Sequence, residues 1–242
     1  MYKVISFGHK CTCAGLIQHL GLKTESYPFD WLISKLDTIK DCIETNFIHF
    51  LDVNNYKPKN MEVCHLIDGR KEFLWNEDVN VNMYYETNNN TELIDTNSAY
   101  HIKLGINHHN LNSAEDYEYY KRCINRLYEL FDSDLKKYYI HFNPIMGIND
   151  YENNKENLLN SFENFSDFIN TKTTNTFGIY FILVKRNEND EYTNSILIKE
   201  TNNFKVFLIN CNHNFIDSGK IMLGVCHVEI NEVIQILQNI IM

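Results

Sequence analysis

The sequence predicts an α/β fold: one domain over residues 1–242, with a mostly parallel central sheet, helices on both faces and a long insertion at residues 52–98. Three observations predict it. The apolar run Val4-Ile5-Ser6-Phe7 stops at Gly8 and passes straight into a segment with Cys13, Leu16, Ile17 and Leu20 at helical spacing, so a strand leads directly into a helix. Two further apolar runs, Lys137–Phe142 and Phe177–Val184, read as core strands. Amphipathic stretches lie between these runs, and strands alternating with helices build α/β architecture.

The elements follow in order. Gly21 stands where a helix C-cap belongs. Pro28 makes Pro28-Phe29-Asp30-Trp31 a bend rather than a helix. Ser34 with Asp37 three residues on resembles a capping box, opening a helix whose stripe is Leu36, Ile39, Ile43, Phe47 and Phe50. Residues 52–98 are the least organised part. Asn54-Asn55, Lys57–Asn60 and Asn88–Asn90 surround Phe73-Leu74-Trp75 and Met83-Tyr84-Tyr85, which is the pattern of an insertion or lid covering one face, with room for short strands. Tyr100–Ile106 alternates as a strand and delivers Asn107-His108-His109-Asn110 at its end. Ser113 then caps a helix with Asp116 at its third position and Tyr117, Tyr120, Ile124, Leu127 and Phe131 on one face. The strand Lys137–Phe142 is expected to stop at Asn143-Pro144. A helix over 154–170 follows, then strands at Phe177–Val184, Ser195–Lys199, Phe204–Ile209 and Ile221–Ile230, and a last helix capped by Asn231 and running to about Ile241.

Composition excludes several classes. A formal charge of −10 and a pI near 5.4 argue against a general nucleic-acid binder, which needs a basic face to meet phosphate. No apolar run is long enough to span a bilayer, and the N-terminus does not read as a signal peptide. Seven cysteines without disulfide-scaffold spacing fit a reducing, cytoplasmic compartment. Heavy use of Asn, Lys and Ile reads as AT-rich coding, of a low-GC bacterium or a large DNA virus. No cofactor is expected. Gly8-His9-Lys10-Cys11 is not a Walker loop, and neither Cys11 nor Cys13 has the arginine a cysteine phosphatase needs. His9-x-Cys11-x-Cys13, Cys64-His65, Cys211-x-His213 and Cys226-His227 form no paired framework, so no metal site is expected.

Cysteine chemistry is the pattern that remains. Cys11 falls in the strand-to-helix turn or on the first turn of the helix, where free backbone N–H groups and the positive end of the helix dipole favour thiolate over thiol. The alternative is a small buried residue filling space. Ser6, Gly8, Cys11, Gly21 and Leu22, followed by Tyr27-Pro28-Phe29-Asp30-Trp31, together resemble the DUF1796 family, described as papain-like cysteine peptidases. The resemblance implies a nucleophile at Cys11 and a histidine just before a helix carrying Arg-x-x-x-Arg, here Arg122 and Arg126 preceded by His108 and His109. The papain-like description suggests α+β; the strand-first start and the alternation favour α/β.

A thiol nucleophile needs an imidazole to take its proton and a third group to orient that imidazole. The chain order offers Cys11, then His108 or His109, then Asn143, with Asp30 as an alternative orienter. If the strand over Tyr100–Ile106 continues, His108 shares the apolar face of Ile102, Leu104 and Ile106, which favours it as the base and leaves His109 to cap the next helix or face solvent. Gly8, His9, Phe29 and Trp31 are expected to line the substrate cleft, with Pro28–Trp31 folding back against the first helix as one wall. Arg122 and Arg126, one turn apart, could hold an anionic group, though a solvated face is the plainer reading. The leading function is therefore a Cys–His hydrolase acting on a peptide or small-molecule substrate. The alternatives are a non-catalytic interaction or ligand-binding module, and a glycan- or nucleotide-processing enzyme without covalent catalysis.

Overall fold

The computed structural model describes residues 1–8, 11–67, 71–87, 102–106, 109–185, 195–211 and 227–242. It is a mixed α/β fold. Its main sheet has five strands in the order β1 (Tyr2–Ser6), β6 (Lys136–Gly147), β7 (Thr176–Lys185), β9 (Phe204–Cys211) and β8 (Ile196–Glu200). The first four run parallel, and β8 closes one side as an antiparallel strand.

Strand alternation divides the core into two clusters. Val4, Tyr138, Ile140, Phe142, Ile179, Phe181, Leu183, Phe207 and Ile209 pack with Cys13, Leu16 and Ile17 of α1 (Cys11–His19) and with Val233, Leu237 and Ile241 of α7 (His227–Ile241). Their strand neighbours Ile5, Phe7, Tyr139, Tyr180, Ile182, Val184, Val206 and Leu208 pack on the opposite face. That face is covered by α2 (Leu36–Glu44), α3 (Ile48–Leu51), α5 (Ala114–Phe131) and α6 (Ile148–Lys172). Burial of both faces is what makes these strands read as nearly unbroken apolar runs. Each enclosed Phe or Leu contributes about 1.5–3 kcal/mol.

A second, antiparallel sheet has the order β2 (Leu32–Ser34), β5 (Leu104–Ile106), β4 (Lys71–Asn82) and β3 (Tyr56–Ile67). The insertion therefore holds a hairpin of two 12-residue strands rather than short ones, followed by α4 (Met83–Thr87). The hairpin is strongly polar in sequence, with Asn60, Glu62, Asn76, Glu77 and Asp78 among its residues, so it carries little of the apolar alternation that marks a strand. Val79 and Val81 do alternate, and they pack with Ile33 and Ile102 in a small separate cluster.

Several boundaries differ from expectation, each for a local reason. Ser34 is not a helix cap: it belongs to β2, and its Oγ donates to the Gly8 carbonyl at 2.9 Å. The helix begins at Leu36 with Lys35 as N-cap and no side-chain cap. The stripe from Leu36 to Phe50 is cut in two, because Asn46 and Phe47 adopt left-handed backbone (φ 52° and 61°) and turn the chain from α2 into α3. Strand β5 covers only Leu104–Ile106; Ile102 and Lys103 precede it outside the sheet, and Tyr100 and His101 lie outside the described residues. Strand β6 does not stop at Asn143-Pro144. It runs on to Gly147 through a register shift between Asn143 and Met146, which accommodates a proline lacking an N–H. Helix α6 extends well past 154–170 at its N-terminal end. Residues 227–230, expected to be strand, are the first turn of α7, so Asn231 lies inside that helix; residues 221–226 are outside the described residues.

Candidate functional site

The parallel sheet fixes where a site can form. Strands β1 and β6 are adjacent and parallel, so their carboxyl ends share one rim. From that rim the chain leaves β1 into α1 on one face and leaves β6 into α6 on the other. This divergence is a topological switch point, the place where open α/β sheets present a crevice to ligands. Cys11 is the first residue of α1, the element that follows β1 (Tyr2–Ser6). The first turn of α1 contains no acidic side chain to oppose an anion at its free N–H groups.

The junction between β1 and α1 is tight. A Cβ on Gly8 would lie 2.2 Å from Cys13 Cβ, so only glycine fits there. The Gly8 amide donates to Ser6 Oγ at 3.3 Å, and Cys13 Sγ donates to the Ile140 carbonyl at 3.3 Å, tying α1 to β6. At the other end of α1, Gly21 (φ 68°) closes a Schellman turn, with its own amide on the Gln18 carbonyl and the Leu22 amide on that of Ile17.

Three cysteines have described side chains, and all three are buried. Burial pushes the Cys13 thiol up to about 12 despite the Ser6 hydroxyl, and the Cys42 thiol up to about 12 beside Tyr85. Cys123 is raised for the same reason. None of these three is a ready thiolate near neutral pH.

The histidines divide sharply. His108 and His9 lie outside the described residues. His109 sits just ahead of α5, with Nδ1 2.7 Å from Asp116 Oδ1. The other Asp116 oxygen accepts the Asn110 amide at 2.8 Å. Partial burial pushes the Asp116 carboxyl up, but the Asn110 amide and the His109 ring outweigh it and hold it below the usual carboxylate range. Ser113 is the N-cap of α5 without a side-chain cap bond, so the third-position Asp116 is what reaches back over the helix start.

His141 was read in the sequence only as part of a core strand. Its place in β6 puts it beside the end of β1, where its Nδ1 donates to the Phe7 carbonyl. It is 2% exposed, and burial pushes it down to about 4 against the pull of that carbonyl. Alternation along β6 alone would have placed it on the α6 face with Tyr139.

The remaining candidates fall in different settings. Asp30 is buried in the turn it helps to form, accepting the Tyr27 amide at 3.1 Å and pairing with Lys23. Burial pushes its carboxyl up against the opposing pull of Lys23. Phe29 is fully enclosed, packing edge-on against Phe7 and tilted against Phe47, on the sheet face opposite the apolar side of α1. The Phe29 turn thus abuts the other side of β1 rather than the first helix. Trp31 is half-buried with φ 59°, and Lys23 lies 5.9 Å over its ring. Asn143 is half-buried at the last regular position of β6, on the same rim as Cys11. Arg122 is exposed, while Arg126 is partly buried and its Nη1 lies 3.5 Å from the Ser26 carbonyl. Among the described residues no three His, Cys, Asp or Glu side chains group as a metal site requires, and no helix is long and apolar enough to cross a membrane.

A family model, DUF1796, with the description "Putative papain-like cysteine peptidase", matches residues 2–187. The chain belongs to the DUF1796 family. The match spans β1 through β7 and so takes in the β1–β6 rim, Cys11, His109 and Asn143. No curated protein and no solved structure matches the chain.

Proposed function

We propose that this DUF1796 protein is a cysteine-nucleophile hydrolase of the papain-like kind, with Cys11 as nucleophile and the His108–His109 pair supplying the base. The observation that carries this reading is the position of Cys11 as the first residue of α1, on the rim where the chain diverges from β1 and β6. The burial of Cys13, Cys42 and Cys123 supports it by removing those thiols as competitors.

In this reading the Cys11 thiol gives its proton to an imidazole and attacks the carbonyl carbon of a peptide or small acyl substrate. The amide groups opening α1 would stabilise the oxyanion. The imidazolium returns the proton to the leaving amine or alcohol as the C–N or C–O bond breaks. Water then attacks the thioester, yielding the acid and free thiol.

The test is limited alkylation with iodoacetamide near pH 6, mapped by mass spectrometry, alongside hydrolysis of a peptide and acyl-ester panel. Cys11 is expected to label ahead of Cys13, Cys42 and Cys123, and Cys11→Ala to lose hydrolysis and any trapped thioester. Slower labelling of Cys11 than of a buried thiol, or full hydrolysis by Cys11→Ala, overturns the reading.

A further inference from the structure

We infer that His109 is the base for Cys11, and that Asp116 is its positioning residue. This rests on the reading of Cys11 as nucleophile. An ionised carboxylate only accepts, so the 2.7 Å contact with Asp116 Oδ1 assigns the proton to His109 Nδ1. In the neutral ring that leaves Nε2 with its lone pair, the atom that can take a thiol proton.

The ring is held more firmly than a helix cap requires. Tyr119 stacks on it at 4.8 Å and 21°, and Tyr120 meets it edge-on at 5.6 Å and 81°. Asp116 is in turn fixed by the Asn110 amide and by its place on the first turn of α5. Asp116, Tyr119 and Tyr120 are titratable groups that meet the ring. The pair also keeps access to solvent, with 27% of the His109 side chain and 24% of the Asp116 side chain exposed.

The proton accounting is simple. Cys11 S–H loses its proton to His109 Nε2, giving a thiolate and an imidazolium. Asp116 stays ionised and faces the imidazolium as counter-charge, without taking the proton itself. Asp116 thereby favours the thiolate–imidazolium pair over thiol and neutral ring.

The experiment compares wild type, Asp116→Asn, Asp116→Glu, His109→Ala and the double variant Asp116→Asn/His109→Ala. The readouts are the pH profile of Cys11 alkylation and the tautomer of His109 from ring 15N shifts. Asp116→Asn is expected to slow labelling near pH 6 by about tenfold or more, the scale of one charge-assisted hydrogen bond. The double variant should be no slower than His109→Ala, Asp116→Glu should recover part of the rate, and Nδ1–H should lose its dominance in Asp116→Asn. If His109→Ala slows labelling while Asp116→Asn keeps the wild-type profile, Asp116 is only a helix cap and its positioning role is overturned. If His109→Ala labels like wild type, His109 is not the base and the inference is overturned, while Cys11 stands as nucleophile. An unreactive Cys11 in wild type overturns both readings together.

Discussion

His141 and His109 are both gripped through Nδ1, one by a backbone carbonyl and the other by a carboxylate. The His141 ring lies on the α6 face of β6 with the rings of Phe162 and Tyr180 about it, and it is sealed from water. A carbonyl dipole does not repay the desolvation of a full charge, so burial leaves this ring neutral down to about pH 4. His109 has a partly exposed ring and a counter-charge built into the next helix. The first arrangement spends a histidine on joining β6 to the end of β1. The second leaves one paired with a carboxylate and open to solvent. The difference lies in the acceptor and in access to water, and neither can be read from the residue type.

The largest separation between the two should appear in stability. His141→Ala removes the donor to a buried carbonyl and opens a cavity in the main core, a loss of about 2–4 kcal/mol. His109→Ala removes a partly exposed pair and should cost no more than about 1 kcal/mol. Urea midpoints at pH 7 measure both, and equal costs would erase the distinction.

Acid sharpens the same contrast. The folded value of His141 lies near 4, against an ordinary value of 6.5. The unfolded chain therefore takes up the proton first, and stability falls as pH drops from about 6.5 toward 4, by about 3 kcal/mol in all. Glu25 and Asp116 are shifted the other way. Lys3 holds Glu25 below its ordinary value against the burial cost, and the Asn110 amide and the His109 ring do the same for Asp116. Their contribution is present above the ordinary carboxylate range and is lost only as pH falls through it, below about 4. His141→Gln keeps a donor for the Phe7 carbonyl but cannot titrate. Its stability should no longer fall between pH 6.5 and 4.5, where burial of the raised Asp30 carboxyl acts in the opposite direction, and a wild-type slope across that window in the variant would remove His141 as the cause.

Gly8→Ala tests whether the β1 end and His141 form one unit. The new methyl group would meet Cys13 Cβ, which is anchored to the backbone and cannot swing aside. We expect a loss of about 1–3 kcal/mol, typical of overpacking. Because His141 holds the carbonyl of the preceding residue, Gly8→Ala and His141→Ala together should cost less than their sum. Gly8→Ala and His109→Ala should add. Full additivity in the first pair would separate β1 from His141.

Much of the fold was legible because its signals were local. Val4–Phe7, Lys137–Phe142 and Phe177–Val184 are apolar on both sides, and Gly21 sits at a left-handed helix end that favours glycine. The hairpin of β3 and β4 was hidden by its polar composition, and the break between α2 and α3 by left-handed Asn46 and Phe47, which no propensity demands. At the site, Cys11 could be placed because a glycine stop and a helical period bracket it. The Asp116–His109 contact was missed because Asp116 already had a sufficient local role at the helix start. A carboxylate three residues into a helix announces a cap, and only the folded loop reveals that it also holds the preceding histidine.

The smallest effect should come from Asp116→Asn on stability, and it separates holding a helix from holding a charge. The amide oxygen of Asn can still accept from the Asn110 amide, so the reach back over the start of α5 survives. What disappears is the negative charge near the helix N-terminus and opposite His109. Each is a partly exposed interaction worth roughly half a kcal/mol. The cost should therefore stay near or below about 1 kcal/mol and shrink in molar salt, where the screening length falls to about 3 Å. Asp116→Ala loses the acceptor as well and should cost about 1 kcal/mol more, with little salt dependence in that increment. Urea titrations of the three proteins at low and high salt resolve the two contributions. If Asp116→Asn were as costly as Asp116→Ala at both salt concentrations, the charge would be part of the fold. The contrast with His141, a ring fixed by the fold and closed to protons, would then lose its second half.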